Sequence, residues 1–252
     1  MEMPSPHTKH LSGGSMIRPR SDAHCSTFAP QCFSSLSAPA LRHFHSVAVC
    51  HYRDSHETLI REGSPASQVL ILCSGRVKLV AASAEGRIFL LRVAGPGDFL
   101  GLAALLQSAV YRVTAETLDP CVIKSIPRAD FIRFMTLYPD VGHSIAQTLA
   151  HEYNGAVLTA RRLALHTSAA GKLASTLLDL ARVDEPDNGP APTNLPISFV
   201  MQLTHEDLGS MAGLSRETVS RLLTRFRRDG QLNQTLDRMT LNHPIQMEAR
   251  YV

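Results

Sequence analysis

The residues best suited to chemistry in this sequence are a glutamate and an arginine spaced by four, Glu217 and Arg221. In an α-helix such a pair lies one turn apart on the same side. The arginine can donate two hydrogen bonds to O6 and N7 of guanine, and the glutamate can accept one from the amino group of cytosine. The pair therefore has the chemistry to read base edges in DNA.

The segment 204–230 is expected to position this pair. Thr204 is a predicted N-cap, the helix that it starts breaks at Ala212 and Gly213, and Ser215 caps a second helix. Helix, glycine-containing turn and capped helix form a helix-turn-helix, whose second helix enters the major groove with its capping amides near phosphate. The apolar stripe of the second helix comprises Val219, Leu222, Leu223 and Phe226. The predicted DNA-binding residues are Ser215, Arg216, Glu217, Thr218, Ser220, Arg221 and Arg225.

An arginine-rich helix can also be only a solvated face. Here the arginines follow the turn and share the exposed side of the helix with Glu217, which favours DNA binding. Beyond Gly230, the run 234–242 predicts a small hairpin, a wing that could touch the DNA backbone.

Composition limits the other possibilities. The chain has 252 residues, of which 44% are hydrophobic and 19% charged, so a core of two small domains is expected and wholesale disorder is excluded. No apolar run approaches the roughly 20 residues that cross a bilayer, so no membrane partner is expected. The net charge of +3 is too small by itself to indicate nucleic acid.

The cysteines and the N-terminal sequence indicate in which cellular compartment the protein is found. The five cysteines are odd in number and irregularly spaced, and the N-terminus lacks the charged-then-apolar pattern of a secretory signal. We therefore expect a cytoplasmic protein.

The pattern changes along the chain. Residues 1–35 are rich in Ser, Pro, His and Gly and predict a mostly disordered tail. Between residues 44 and 126, short β-favouring runs separated by Gly and Pro predict a β-sandwich or roll. The predicted strands are 47–49, 69–72, 77–80, 88–93, 113–117 and 122–126, with a hairpin turn at Glu85 and Gly86.

The next segments are helical. Apolar residues at three- and four-residue multiples predict a helix over 139–165, too long for a small β-domain to cover. A partner chain is the natural way to bury it, although packing on its own domain is the alternative. A second helix starts near Thr167 or Ser168, and a loop spans 184–196. The apolar face of that helix comprises Leu173, Leu177, Leu178 and Leu180.

Four stretches in this order resemble the CRP/FNR transcription regulators. The stretches 59–63, 75–79 and 95–101 read LIREG, GRVKL and GPGDFLG, and they resemble the turns and strands of that family's sensory β-roll. The stretch 215–221, SRETVSR, closely resembles its recognition helix. The resemblance covers about residues 36–241.

The resemblance implies an α+β fold with three parts after the tail. These are a cyclic-nucleotide-binding-like β-roll at 36–138, a dimerisation helix at 139–166 and a winged helix-turn-helix domain at 167–252. It implies a homodimeric regulator on a palindromic double-stranded DNA site, with RNA polymerase as a further partner. Glu217 and Arg221 match the residues that read a TGA core. Arg216 resembles the branch that reads TGTGA half-sites, and Ser220 the branch that reads TTGAT.

The predicted effector pocket departs from the nucleotide-binding members. Those proteins hold the ribose with a Gly-Glu pair and the phosphate with an Arg-Ser or Arg-Thr pair, whereas this chain has Gly101 and Leu102. The second pair falls near Tyr111, Arg112 and Thr114, one place out of register. Because Leu102 accepts no hydrogen bond, these residues argue against a cyclic nucleotide and leave the cofactor unknown.

The family also includes proteins with an oxygen-labile iron–sulfur cluster. Cys121 lies where the β-roll ligand would be, and Cys32 resembles the last of three N-terminal ligands, with Cys25 seven residues earlier. Four thiolates are usual, so Cys50, His24 or an external group would have to complete the set. The alternative is that these cysteines are small buried hydrophobes.

Three classes of function follow from these patterns. The preferred one is a sequence-specific DNA-binding regulator whose β-roll senses an unidentified signal. The alternatives are a redox-responsive regulator with a cluster, and a ligand-binding module without specific DNA recognition. No Ser, His and Asp set lies in a strand–turn–helix context, so an enzyme is not expected.

Overall fold

The structure, a computed structural model, describes residues 28–86, 88–165, 168–184, 195–201, 203–235 and 238–251. A β-rich half leads through a long helix into a mostly helical half. The first half contains a short 3-10 helix Gln31–Phe33, α1 Ala38–Val47, β1 Val49–Arg53, β2 Thr58–Ile60, β3 Gln68–Ser74, β4 Val77–Ala82, β5 Ile88–Ala94, β6 Phe99–Leu100, α2 Leu102–Leu106, β7 Thr114–Thr117, β8 Cys121–Pro127 and α3 Arg128–Leu137. The second contains α4 Pro139–Leu165, α5 Ala169–Asp184, β9 Ile197–Val200, α6 His205–Ala212, α7 Arg216–Arg228, β10 Leu232–Gln234, β11 Arg238–Leu241 and α8 Pro244–Tyr251.

The β-roll consists of two four-stranded antiparallel sheets, ordered β1-β8-β3-β6 and β2-β7-β4-β5. Strands β4 and β5 form the predicted hairpin, in which Gly86 takes a φ of +78° in the turn. Five of the predicted strands are confirmed, and none of their ends shifts by more than two residues. The α+β architecture is therefore the observed one.

The predicted strand at 47–49 is misplaced, because α1 occupies residues up to Val47 and β1 starts only at Val49. Ser37 caps α1 by accepting a hydrogen bond from the Ala40 amide at 3.4 Å. A proline in the first turn of α1 suits a helix start, since its missing N–H would be unpaired there anyway. His43 and His45 therefore lie on this helix.

The last part of the predicted tail packs on the roll. Residues 1–27 lie outside the described residues, whereas Phe33 has no exposed surface. Its ring meets those of Phe44 and Phe99 edge-on, with centroids 5.3 and 5.6 Å apart. Such aromatic pairs add about 0.5–1.5 kcal/mol beyond burial, so this segment stabilises the core of the roll.

Helix α4 has the predicted bounds, and the roll covers only its first half. Val141 and Ile145 are buried there. Farther along, Tyr153, Leu158 and Leu165 are 69%, 61% and 65% exposed. The roll therefore leaves the large apolar side chains in the second half of α4 exposed.

Helix α5 starts where the sequence predicts a cap. The Ser168 hydroxyl accepts a hydrogen bond from the Gly171 amide at 2.9 Å, as an N-cap does. The other cap candidate, Thr167, lies outside the described residues, and so do residues 185–194 of the predicted loop.

The part of the second half that follows α4 packs directly against the β-roll. Its three-stranded sheet has the order β10-β11-β9. One hydrophobic cluster contains Phe199 and Phe226 of this half together with Leu90 and Val93 of the roll. An ion pair between Arg162 of α4 and Asp179 of α5 ties the long helix to the first helix of this half.

Candidate nucleic-acid interface

Helices α6 and α7 form the helix-turn-helix, and each begins with a hydroxyl cap. The Thr204 hydroxyl accepts a hydrogen bond from the Asp207 amide at 3.0 Å, while the Asp207 carboxylate accepts one from the Thr204 amide at 2.9 Å. Ser215 starts α7 by accepting from the Thr218 amide at 3.2 Å. Both caps confirm the predicted helix starts, and they fix the angle at which the chain enters each helix.

Two glycines allow the turn between these helices. Gly213 ends α6 with a φ of +65°, a conformation that side chains disfavour. A Cβ atom on Gly209 would lie 2.6 Å from the carbonyl oxygen of Leu214, so only glycine lets the turn pass this close to α6.

Helix α7 separates its apolar and charged residues cleanly. Val219, Leu223 and Phe226 have no exposed surface. The charged residues of α7 are all exposed: Arg216, Glu217, Arg221, Arg225, Arg227 and Arg228.

Four of the predicted DNA-binding residues meet in one open concavity. It has a volume of about 380 Å³, and its lining comprises His205, Arg216, Glu217, Ser220 and Arg221. The structure thus brings the glutamate and arginine together on one accessible surface. His205 is a lining residue that sequence reasoning missed, although its position directly after the Thr204 cap was a usable signal.

The other predicted DNA-binding residues lie outside this lining. The hydroxyls of Ser215 and Thr218 are 3.1 Å apart and belong to the helix cap. Arg225 lies a turn farther along α7, with its Nε 3.7 Å from a carboxylate oxygen of Asp229.

The charge of Glu217 is set by its neighbours. Its own backbone amide and the Ser215 hydroxyl donate hydrogen bonds to the carboxylate, and together with the charges of Arg216 and Arg221 they lower its pKa. Glu217 is therefore an ionised acceptor, as a contact to a cytosine amino group requires.

The predicted wing is present in part. Strands β10 and β11 pair antiparallel, with Leu232 opposite Leu241 and Gln234 opposite Met239. Residues 236 and 237, at the tip of the predicted hairpin, lie outside the described residues. Strand β9 adds a third strand that the sequence pattern did not predict.

The predicted effector residues are divided between the core and the surface. Leu102 and Tyr111 are buried, at 1% and 5% exposure. Gly101 has a φ of +81°, and a Cβ there would lie 2.4 Å from the Tyr111 ring. Arg112 is exposed, and Thr114 uses its hydroxyl to accept a hydrogen bond from the Glu62 amide at 3.1 Å. The tyrosine ring therefore fills the room beside Gly101.

The predicted cluster ligands are described only in part, since Cys25 and His24 lie outside the described residues. Cys32 is half-buried, and its pKa is raised by burial. Cys121 has no exposed surface and donates to the carbonyl of Asp119 at 3.1 Å, and burial raises its pKa to about 11. Cys50 takes part in a disulfide, so its thiol is not available as a fourth ligand. Among the described residues, no three His, Cys, Asp or Glu side chains come together as metal ligands.

A β-roll that a long helix connects to a helix-turn-helix domain defines a class of DNA-binding regulators. Comparison with known proteins assigns the chain to the same class. The family model of the cyclic nucleotide-binding domain matches residues 51–138, and that of the Crp-like helix-turn-helix domain matches residues 171–250. A cAMP-activated global transcriptional regulator CRP from Pasteurella multocida is 30% identical over 186 residues, which cover 73% of this chain and 86% of the relative.

Solved structures share the fold. FixK2 from Bradyrhizobium japonicum aligns with a TM-score of 0.71 at 21% identity, covering 82% of this chain and 98% of FixK2. A CRP-family transcriptional regulator from Thermus thermophilus aligns with a TM-score of 0.63 at 26% identity, covering 79% of this chain and 95% of that protein.

The chain belongs to the CRP/FNR family of transcription regulators, and it is a DNA-binding regulator rather than an enzyme. In the part of the chain that the structure describes, no helix combines the length and apolar character needed to span a membrane.

Proposed function

We propose that this regulator acts as a homodimer on a two-fold symmetric DNA site whose half-sites share a TGA core. The observation that carries the proposal is the concavity in which Glu217 and Arg221 lie exposed, one helical turn apart. An ionised acceptor suits the cytosine amino group and a donor of two hydrogen bonds suits guanine, and these are the two bases of the G·C pair in a TGA core. RNA polymerase is a further proposed partner, by family membership.

The dimer is supported by α4. Its second half exposes Tyr153, Leu158 and Leu165, although large apolar side chains that lie near one another are usually buried in an interface. A second copy of the same helix presents the same apolar stripe, so two chains can cover each other symmetrically. Two recognition helices would then face two half-sites.

Base substitution in a duplex with two TGA half-sites tests the DNA proposal. Arg221→Ala should lose about 1–3 kcal/mol of discrimination at one base pair, because its paired donors to guanine are gone. Arg228→Ala is the matched control, since Arg228 lies outside the concavity and should lower affinity for all duplexes alike. Fluorescence anisotropy gives the Kd for each duplex. Equal Kd values of the unmodified protein for specific and scrambled duplexes would contradict the proposal.

We further propose that the signal sensed by the β-roll is not a cyclic nucleotide, although several relatives are named as cAMP-activated. Buried Leu102 offers no acceptor to a ribose hydroxyl, which costs about 1–3 kcal/mol. The Tyr111 ring also occupies the room beside Gly101.

Calorimetric titration with cAMP and cGMP tests this second proposal. We expect no binding heat and no change in DNA affinity when either nucleotide is added. Saturable binding of either one, with tighter binding to DNA, would contradict it.

A further inference from the structure

The free edge of the second sheet makes a contact that DNA binding alone does not explain. Strand β5 is the last strand of the order β2-β7-β4-β5, so among the described residues one side of it has no neighbouring strand. An edge strand offers unpaired N–H and C=O groups. On that side, the Ser210 hydroxyl of α6 donates to the carbonyl of Ile88 and accepts from the amide of Leu90, both at 2.8 Å.

Serine suits this contact because a hydroxyl can donate and accept at once. Ile88 and Leu90 are two residues apart, so their backbone groups face the same side of the strand. One side chain of the helix-turn-helix thus takes the place of a neighbouring strand for two backbone groups of the roll.

Arg76 makes a second polar link between the roll and the DNA-binding half. Its side chain donates to the carbonyl of Val200 in β9 at 2.6 Å, and its Nε lies 2.7 Å from the carboxylate of Asp119. The Arg76 and Asp119 side chains are only 13% and 17% exposed. Because Asp119 belongs to the roll, it holds the guanidinium in place for the contact with β9.

Apolar packing fills the space between these two links. Leu90, Val93 and Leu118 of the roll are each less than 9% exposed, in one cluster with Phe199 and Met201 of the DNA-binding half. These side chains pack the roll against the DNA-binding half, apart from a small cavity of about 10 Å³ lined by Arg76, Val93 and Phe199 among others. The contact uses Ser210 and β9, and the charged residues of α7 stay exposed.

We infer that this contact, here called the β5 clamp and formed by Ser210 and Arg76, sets the half-site separation that the dimer accepts. The inference rests on the proposed two-fold dimer. A clamped recognition helix has a fixed distance from its own roll and from α4, and hence from the second recognition helix. A DNA-binding half that could turn freely would adapt to several separations at little cost, whereas a clamped one is preorganised for a single separation.

A spacing series tests the β5 clamp. Adding one base pair between half-sites shifts one of them by about 3.4 Å and about a tenth of a turn. Two TGA half-sites are placed at the best separation and at separations one and two base pairs shorter or longer, beside a duplex with one half-site. Fluorescence anisotropy gives each Kd for the unmodified protein, for Ser210→Ala, and for Ser46→Ala as a control whose hydroxyl bonds only within α1.

For the unmodified protein and for Ser46→Ala, the Kd should be lowest at one separation of the half-sites and rise sharply at shorter and longer separations. Ser210→Ala should reduce this difference in Kd between separations severalfold. The Kd for the single half-site should stay unchanged, because α7 itself is intact. Arg76→Met, which removes the donors to Val200, should reduce the difference between separations in the same way. A change in folding alone would weaken the single half-site as well.

Two results would overturn the inference. If Ser210→Ala and Arg76→Met keep the sharp optimum, the clamp does not set the separation, and the proposed function still stands. If the unmodified protein binds one half-site as tightly as two, the two-fold site itself is wrong, and the inference falls with it.

Discussion

Cys73 and Cys121 are buried thiols of the β-roll, and burial raises the pKa of each to about 11. The thiolate is the reactive form of cysteine, so both side chains should be inert at pH 8. In native protein, iodoacetamide should modify half-buried Cys32 before it modifies either of them, and all three should react after denaturation. Mass spectrometry of the labelled peptides gives the order. Rapid native labelling of Cys121 would instead show an accessible thiolate, as a metal ligand requires.

His45 should make folding stability depend on pH. Lys124 donates to its Nδ1 at 3.0 Å, and burial together with the Lys124 charge lowers the His45 pKa below 6.5. Protons therefore bind more readily to the unfolded chain, so this contribution is complete above pH 6.5 and is lost as pH falls through the folded-state pKa.

Denaturant titrations at pH 8 and pH 5 measure this loss. His45→Gln should reduce the loss of stability on acidification, whereas His143→Gln, at a position of α4 that makes no such contact with Lys124, should keep the full loss. The same loss in His45→Gln as in the unmodified protein would assign the effect to other groups.

At the scale of elements, Gly209 determines how closely the turn packs on α6. Gly209→Ala places a methyl group 2.6 Å from the Leu214 carbonyl oxygen, so the turn must shift, at a cost of about 1–3 kcal/mol. Gly142→Ala is the control, because the added Cβ at that helical position has no atom within 4 Å apart from the nearby backbone of its own helix, and stability should rise by about 0.5–1 kcal/mol. Thermal unfolding followed by circular dichroism compares the two. A Tm for Gly209→Ala as high as that of Gly142→Ala would refute the close approach.

Elements with a regular pattern were predictable from the sequence. The 3.6-residue period over α4 and the capped helices α6 and α7 gave bounds that the structure keeps. Helix α1 was not predicted because β-branched Val47 and Val49 at its end resemble a strand, although a serine cap and a proline mark its start. Helix α8 was also missed, since the resemblance stopped before it.

The candidate site was predictable to a similar degree. Helical spacing placed Glu217 and Arg221 together, because four residues make one turn of a single helix. His205 reaches the same concavity from another helix, and Tyr111 fills the space beside Gly101 from the loop before β7. Such contacts depend on tertiary packing, which a local pattern does not encode.

At the scale of the whole molecule, α4 should hold two chains together. Leu158→Glu introduces a charge into the exposed apolar surface and should raise the dimer dissociation constant at least tenfold, since burying an unpaired carboxylate costs several kcal/mol. Leu137→Glu is the matched control, because Leu137 is similarly exposed at 52% but lies in α3. Sedimentation equilibrium measures both. A Leu158→Glu protein that remains as dimeric as the control would move the dimer interface elsewhere.

The hydrophobic cluster that joins Leu90, Val93 and Leu118 to Phe199 and Met201 also determines whether the DNA-binding half can be separated from the β-roll. A fragment that begins at Ser168 would lack the side chains that cover one face of its own core. Transplanted onto another sensor, this DNA-binding half would arrive with that face open to water, prone to aggregate until a new surface closed it. In this protein, the part that reads DNA is not a portable module, because the sensor supplies one wall of its interior.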